Sequence, residues 1–265
     1  MIETGSGLKR QVIECFPFFN EVDMLELHLE TTQDVVDQWI IVESDHTFRN
    51  HPKEANFVLN NDRFAKFLPR IHYRLMKSRR SPNPWENEAD QRDALFTYLR
   101  NLSLDNEDNL VILVDVDEIP DPKAIRQATG HGMCDLEMPL FNYYYNLRVK
   151  EAWSMPKILS GDVCKLISAS AARRSRNFTH FVGGWHFSNI MTPEMYRLKH
   201  KSFSHSECDR DDLLALDKIE EAMKNKTDLF GLGKEHFNPT QVPINTLPKH
   251  IQDNQGKYAQ FLLPE

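Results

Sequence analysis

Leu110-Val111-Ile112-Leu113-Val114-Asp115-Val116-Asp117-Glu118 holds the fold and the chemistry in one passage. Five consecutive apolar residues, three of them β-branched, read as a strand buried on both faces, the kind found in parallel sheets. The run ends abruptly in three acids. Ligands of parallel α/β sheets bind beyond the carboxyl ends of the strands, where these acids fall. Asp115 and Asp117, spaced i and i+2, can approach one hard divalent cation that is shared with substrate phosphates. The plainer alternative is an acidic loop that caps the next helix.

Working outward, Trp39-Ile40-Ile41-Val42 is a second apolar run, stopping at Glu43-Ser44-Asp45. Val12, Ile13 and Cys15 lead into Phe16-Pro17-Phe18-Phe19 as a first strand. Asn20 then reads as a helix N-cap, with Glu21 and Asp23 in the first turn and Val22, Leu25 and Leu29 on one face. A helical segment near Asp62 to Phe67 and a weak strand from Ile71 to Leu75 follow. Ser81-Pro82-Asn83-Pro84 introduces a long helix in which Trp85, Ala89, Leu95, Phe96, Leu99 and Leu102 keep helical spacing. Beyond the acids, Asp121-Pro122 starts a short helix. Leu136 to Tyr145 reads as a strand, and Val163, Lys165 and Ile167 alternate as another.

Strands alternating with helices predict an α/β class with a mostly parallel sheet flanked by helices. The catalytic domain is expected over 8–210, its donor-binding half ending near 125 and its acceptor and metal half running from 126 to 210. Residues 211–265 are expected as a helical and irregular C-terminal extension, with one helix from Leu213 to Met223 and a proline-punctuated tail that wraps the domain.

With 32 Lys and Arg against 39 Asp and Glu, the net charge is −7, so no global positive field holds nucleic acid. No span of about 18 apolar residues and no signal-like segment is visible, and the expected setting is cytoplasmic or otherwise soluble. The four cysteines form no C-x-x-C pair.

Several of these segments together resemble glycosyltransferase family 17. They are Phe18-Phe19-Asn20-Glu21-Val22-Asp23-Met24-Leu25-Glu26, Val42-Glu43-Ser44, Trp85-Glu86 with Glu88 and Arg92, Asp115-Val116-Asp117-Glu118-Ile119-Pro120, and Gly184-Trp185-His186. The resemblance implies a GT-A-type (Rossmann-like) fold and a uridine diphosphate N-acetylglucosamine donor. It also implies a divalent metal, inversion at the anomeric carbon and a glycan or other hydroxyl acceptor. The absence of an anchor and stem fits a soluble microbial or viral relative.

On that resemblance Phe18, Asn20 and Glu43 fall at the nucleoside end of the donor pocket, the alternative being that Asn20 is a cap and Phe18 core. Arg92 can offer a planar fork of donors to the diphosphate or pair with Glu88, four residues earlier. Asp115 and Asp117 are the metal ligands from the acidic motif, and Asp117 and Glu118 the catalytic acids. A histidine from late in the chain completes the metal shell of many such sites. His186 and His205 are the candidates, each set against the role of a packed core histidine. Tyr144, Asn146 and Trp153 offer flat faces and polar tips to an acceptor sugar, although three adjacent tyrosines in a strand cannot all face one way. An inverting transferase needs a carboxylate base, for which Glu207 and Glu151 are the candidates. Competing classes are a metal-dependent nucleotidyltransferase or phosphoesterase, and a non-catalytic sugar-binding module.

Overall fold

In the computed structural model, residues 10–128, 132–176, 179–231 and 237–264 are described, without the side chains of residues 150 and 151. The candidate base Glu151 therefore lies outside the described side chains. The chain begins with β1 (Val12–Phe18), α1 (Val22–Thr32) and β2 (Gln38–Ser44), then α2 (Asn56–Leu59), β3 (Ile71–Met76), α3 (Pro84–Asn101) and β4 (Leu110–Leu113). These four strands are parallel, in the order β3-β2-β1-β4.

Alternation along each strand sends side chains to two cores. Ile13, Cys15, Ile40, Val42, Val111 and Leu113 meet Leu95, Phe96 and Leu99 of α3 on one face. Phe16, Phe18, Trp39, Ile41, Ile112 and Val114 meet Leu25 and Leu29 of α1 on the other. Double-sided burial is why these strands read as continuous apolar runs. The long helix starts as expected, with Asn83 as N-cap accepting from Trp85 N at 3.2 Å. Its Gln91 donates to the carbonyls of Phe18 (3.2 Å) and Val42 (2.8 Å), tying α3 to the carboxyl ends of β1 and β2.

Beyond β4 come β5 (Glu118–Pro120), α4 (Pro122–Gln127), β6 (Met133–Asn142), β7 (Leu147–Trp153) and β8 (Lys157–Ser160). Next are α5 (Val163–Leu166), α6 (Ala169–Arg174), β9 (His180–Val182), β10 (Gly184–Ser188) and α7 (Pro193–Ser202). The last elements are α8 (Leu216–Asn225), β11 (Thr240–Gln241), α9 (Lys249–Asp253) and α10 (Gln255–Tyr258). The sheet continues from β4 through β8, β6, β7 and β11 with antiparallel pairings, giving a mixed α/β fold with helices on both faces of its parallel part.

Three local expectations are corrected. The cap residue of α1 is Glu21, not Asn20: the helix begins at Val22, and Glu21 Oε2 accepts from the backbone N–H groups of Phe19 (3.3 Å) and Asn20 (3.0 Å). Val163 to Leu166 is a helical turn instead of a strand, opened by Cys164 N to Gly161 O at 3.1 Å, and the strand of this region is β8. Finally, the tyrosines lie after the strand: β6 ends at Asn142 and Tyr143 takes φ +67°. The turn fans them out, Tyr143 towards Tyr196 and Tyr145 towards Phe187 and Tyr258, so both are core.

The tail packs against the rest of the chain. Leu247, Ile251 and Tyr258 share a cluster with Met24 and Leu27 of α1, Ile119 and Phe187. Lys257 pairs with Glu26. Among the described residues no helix is long and apolar enough to cross a membrane.

Candidate active site

The acids stand where β4 leaves the sheet. Val114 N still bonds Cys15 O at 3.2 Å, as the last parallel contact. The loop then closes on itself: Glu118 N donates to Asp115 O (3.0 Å) and Asp115 N to Glu118 Oε2 (2.6 Å). Strand β10 returns across it, pairing His186 with Glu118 and donating Phe187 N to Asp117 O at 2.7 Å. Only glycine permits this approach. Gly184 has φ +132°, and a Cβ there would stand 2.6 Å from Ile119 O.

Asp115 and Asp117 line a cavity of about 620 Å³ together with Arg92, Trp153, Arg173, His186, Lys199 and His205. Arg92 Nη1 lies 2.5 Å from Asp115 Oδ1, and Arg173 Nη2 lies 2.8 Å from Oδ2. Burial alone would raise the Asp115 carboxyl; the guanidiniums of Arg173 and Arg92 outweigh it and hold it well below the ordinary carboxylate range. The Arg92–Glu88 pair is also present, at 3.3 Å, so one guanidinium bridges both carboxylates. Asp117 is held more loosely, with Lys199 Nζ at 3.4 Å and His186 Nε2 at 3.7 Å.

Glu118 is fully buried and organises the loop from behind: beyond the Asp115 amide, it takes both arms of Arg173 and the indole N–H of Trp153. Trp153 in turn lies against the His186 ring, centroids 4.8 Å apart. Most of the other predicted residues lie outside this cluster. Glu43 is fully buried and engaged by Lys53, the amides of Asn56 (2.8 Å) and Phe57 (3.1 Å) and the Tyr73 hydroxyl (2.9 Å). Phe18, 1% exposed, contributes to the same cavity lining, whereas Asn20 borders an adjacent pocket with Lys53 and Asn56. His205 sits at the cavity mouth, edge-on to Trp85 and bonded to Glu207 at 2.6 Å, while Glu207 is exposed and outside the lining. Tyr144 is outside the lining too. Asn146 is fully buried away from it, bonding Leu263 N and Leu263 O at 2.9 Å each.

Several charged lining residues escape the sequence reading, among them Arg173, Lys199 and Glu21 beside the acids. Arg173 lies in the last turn of α6, a six-residue helix capped by Ser168 and tied to α3 through Ser170 N to Asp93 at 2.7 Å. The signal was the serine cap before a small-residue turn ending in two arginines. Lys199 lies one step from the buried face Tyr196–His200 of α7, inside a basic run. Glu21 lines the cavity, and burial raises its carboxyl, with the Lys199 charge opposing and the Asp117 charge adding. In a chain of net charge −7, Lys53, Arg92, Arg173, Arg174 and Lys199 all reach one cavity, which suits a polyanionic ligand.

The donor set admits a divalent cation at one place. Asp117 Oδ1 and His186 Nε2 are 3.7 Å apart, within the span of two ligand bonds of about 2.1 Å each. The opposite ring nitrogen of His186, Nδ1, is buried without a hydrogen-bond partner among the described residues. Asp115, by contrast, is occupied by its two arginines. Among the described residues no group of three or more His, Cys, Asp and Glu side chains converges on one point. A cation held here would need substrate oxygens and water for its remaining ligands, as magnesium commonly does.

A carboxylate pair ringed by cations stands at the carboxyl edge of the parallel sheet, the edge at which α/β enzymes bind their ligands. Glycosyltransferase family 17 matches residues 4–265, essentially the whole chain, and the protein belongs to that family. It is a glycosyltransferase, with a sugar donor and an acceptor as its substrates. No curated protein matches the chain.

Proposed function

We propose that the protein transfers N-acetylglucosamine from uridine diphosphate N-acetylglucosamine to a hydroxyl of a glycan or similar acceptor, with inversion, on a GT-A-type fold. One observation carries the reading: Asp117, His186 and Lys199 stand beside the Asp115–Arg92–Arg173 cluster at the end of β4.

The diphosphate lies along this edge. Arg173 and Arg92 add positive charge beside its oxygens, Lys199 adds a point charge, and Glu118 keeps Arg173 oriented. Asp117 and His186 hold manganese or magnesium, which when bound neutralises the departing diphosphate. Trp153, fixed through Glu118, presents its ring beside His186, where the transferred sugar meets the acceptor. Release of a dianionic leaving group is the electrostatic demand of the reaction, and preoriented charges in a partly enclosed cavity meet it.

Incubation with uridine diphosphate sugars and manganese tests the proposal. Slow donor hydrolysis is expected, with N-acetylglucosamine preferred to glucose and galactose, and nucleotide binding tightened by the metal. Equal nucleotide affinity in the presence of a chelator removes the metal from the account. Turnover of a phosphodiester with every nucleotide sugar left intact would overturn the whole reading.

A further inference from the structure

Behind the acidic loop lies a buried ionisable pair that the site chemistry leaves unexplained. Glu14 on β1 and His28 on α1 are both 0% exposed, and removing two charges from water costs several kcal/mol per ion. His28 Nε2 lies 3.0 Å from Glu14 Oε1, and Nδ1 lies 2.8 Å from Val116 O, eighty-eight positions along the chain. A carbonyl oxygen only accepts, so Nδ1 carries the proton. The other Glu14 oxygen accepts from Trp39 Nε1 (3.1 Å) and Thr32 Oγ1 (3.2 Å). Burial disfavours the imidazolium, but the Glu14 charge and the Val116 carbonyl outweigh it and raise the proton affinity of His28.

We propose that His28, oriented by Glu14, is a positioning residue that fixes the peptide between Asp115 and Asp117 and so sets the aim of both carboxylates. The role rests on reading this loop as the donor site. Val116 is the pivot: it is 4% exposed, packs in the buried apolar cluster, and sits in the cavity lining between the two carboxylates. Elsewhere in the loop Val114 N is held by Cys15 O, Asp117 O by Phe187 N, and Asp115 N by the Glu118 carboxylate. The Val116 carbonyl is held by a side chain, and that side chain is braced from β1 and β2. A pair serving only the core would be replaceable by apolar side chains of similar volume.

Binding of uridine diphosphate with manganese, measured by calorimetry, is compared for wild type, Asp117→Asn, His28→Leu, His28→Asn and His28→Gln, each with its melting temperature. The amide nitrogen of Asn replaces Nδ1, whereas that of Gln reaches towards Glu14. His28→Leu is expected to weaken binding about 10- to 100-fold, as loss of an outer-shell partner does. His28→Asn should recover most of it and His28→Gln should not, whatever the ranking of melting temperatures. Should His28→Leu fail to fold, the Asn and Gln variants carry the comparison. Leu binding like wild type, or Asn no better than Gln, overturns the positioning role. If Asp117→Asn itself leaves binding unchanged, the donor-site reading falls and the positioning role with it.

Discussion

Asp115 and Asp117 are two residues apart on one loop and face one cavity, yet their surroundings are opposites. Asp115 is gripped by two guanidiniums at 2.5 and 2.8 Å, geometry typical of strong charge-assisted bonds. Asp117 has a lysine at 3.4 Å and a histidine at 3.7 Å, and neither approaches that strength. The charge of Asp115 is satisfied within the protein, where it joins α3 and α6 to the end of β4. The charge of Asp117 remains open to an external partner. Repetition of a residue type in a motif does not imply repetition of its role.

The largest expected effect separates the two directly. Asp117→Asn should lower transfer on the order of 100-fold or more with the melting temperature nearly unchanged. Asp115→Asn should instead cost roughly 3 kcal/mol of stability, because two enclosed guanidiniums lose a partner. Urea denaturation and transfer assays on both variants check this, and identical behaviour would dissolve the contrast.

The histidines sharpen it next. His186→Ala should raise the manganese concentration for half-maximal activity about 10-fold, leaving the metal-free melting temperature in place. His205→Ala, at the mouth beside Trp85, should leave manganese use unchanged. A larger metal effect at His205 would move the cation to the mouth.

Acid reports on the Asp115 side. Its folded carboxyl lies below the ordinary value, so its stabilising contribution is complete above about 3.9 and is lost as pH falls through the folded value. Stability curves of wild type and Asp115→Asn should run parallel between pH 7 and 5 and converge below about 4. Convergence already at pH 6 would assign the pair a different origin.

The smallest effects come from the helix caps. Asn83 caps α3, which carries Arg92, and Thr192 caps α7, which carries Lys199. Alanine at either position should cost about 1 kcal/mol. Thr192→Ala alone should also shift manganese use, since of these two helices it is α7 whose Lys199 reaches Asp117.

What the sequence determined by itself was the pattern that local physics dictates. Apolar runs over Leu110 to Val114 and Trp39 to Val42 must be buried on two sides, so helices had to cover both faces, and the acids that ended those runs had to reach the carboxyl edge. Asp121 and Pro122, and Asn83 before Pro84, marked helix starts because their chemistry acts within one turn. Side-chain partners across the chain were decided only by the tertiary structure. Nothing near Glu43 announced that Lys53, Tyr73 and the start of α2 would enclose it. Nothing near Asp115 announced Arg173, fifty-eight residues away, because a pairing of that span depends on where the sheet delivers α6. The turn at Tyr143 and the burial of Asn146 against Leu263 were hidden for the same reason. Period and propensity are written in neighbouring residues, whereas the role of a carboxylate is set by which charges the fold brings against it.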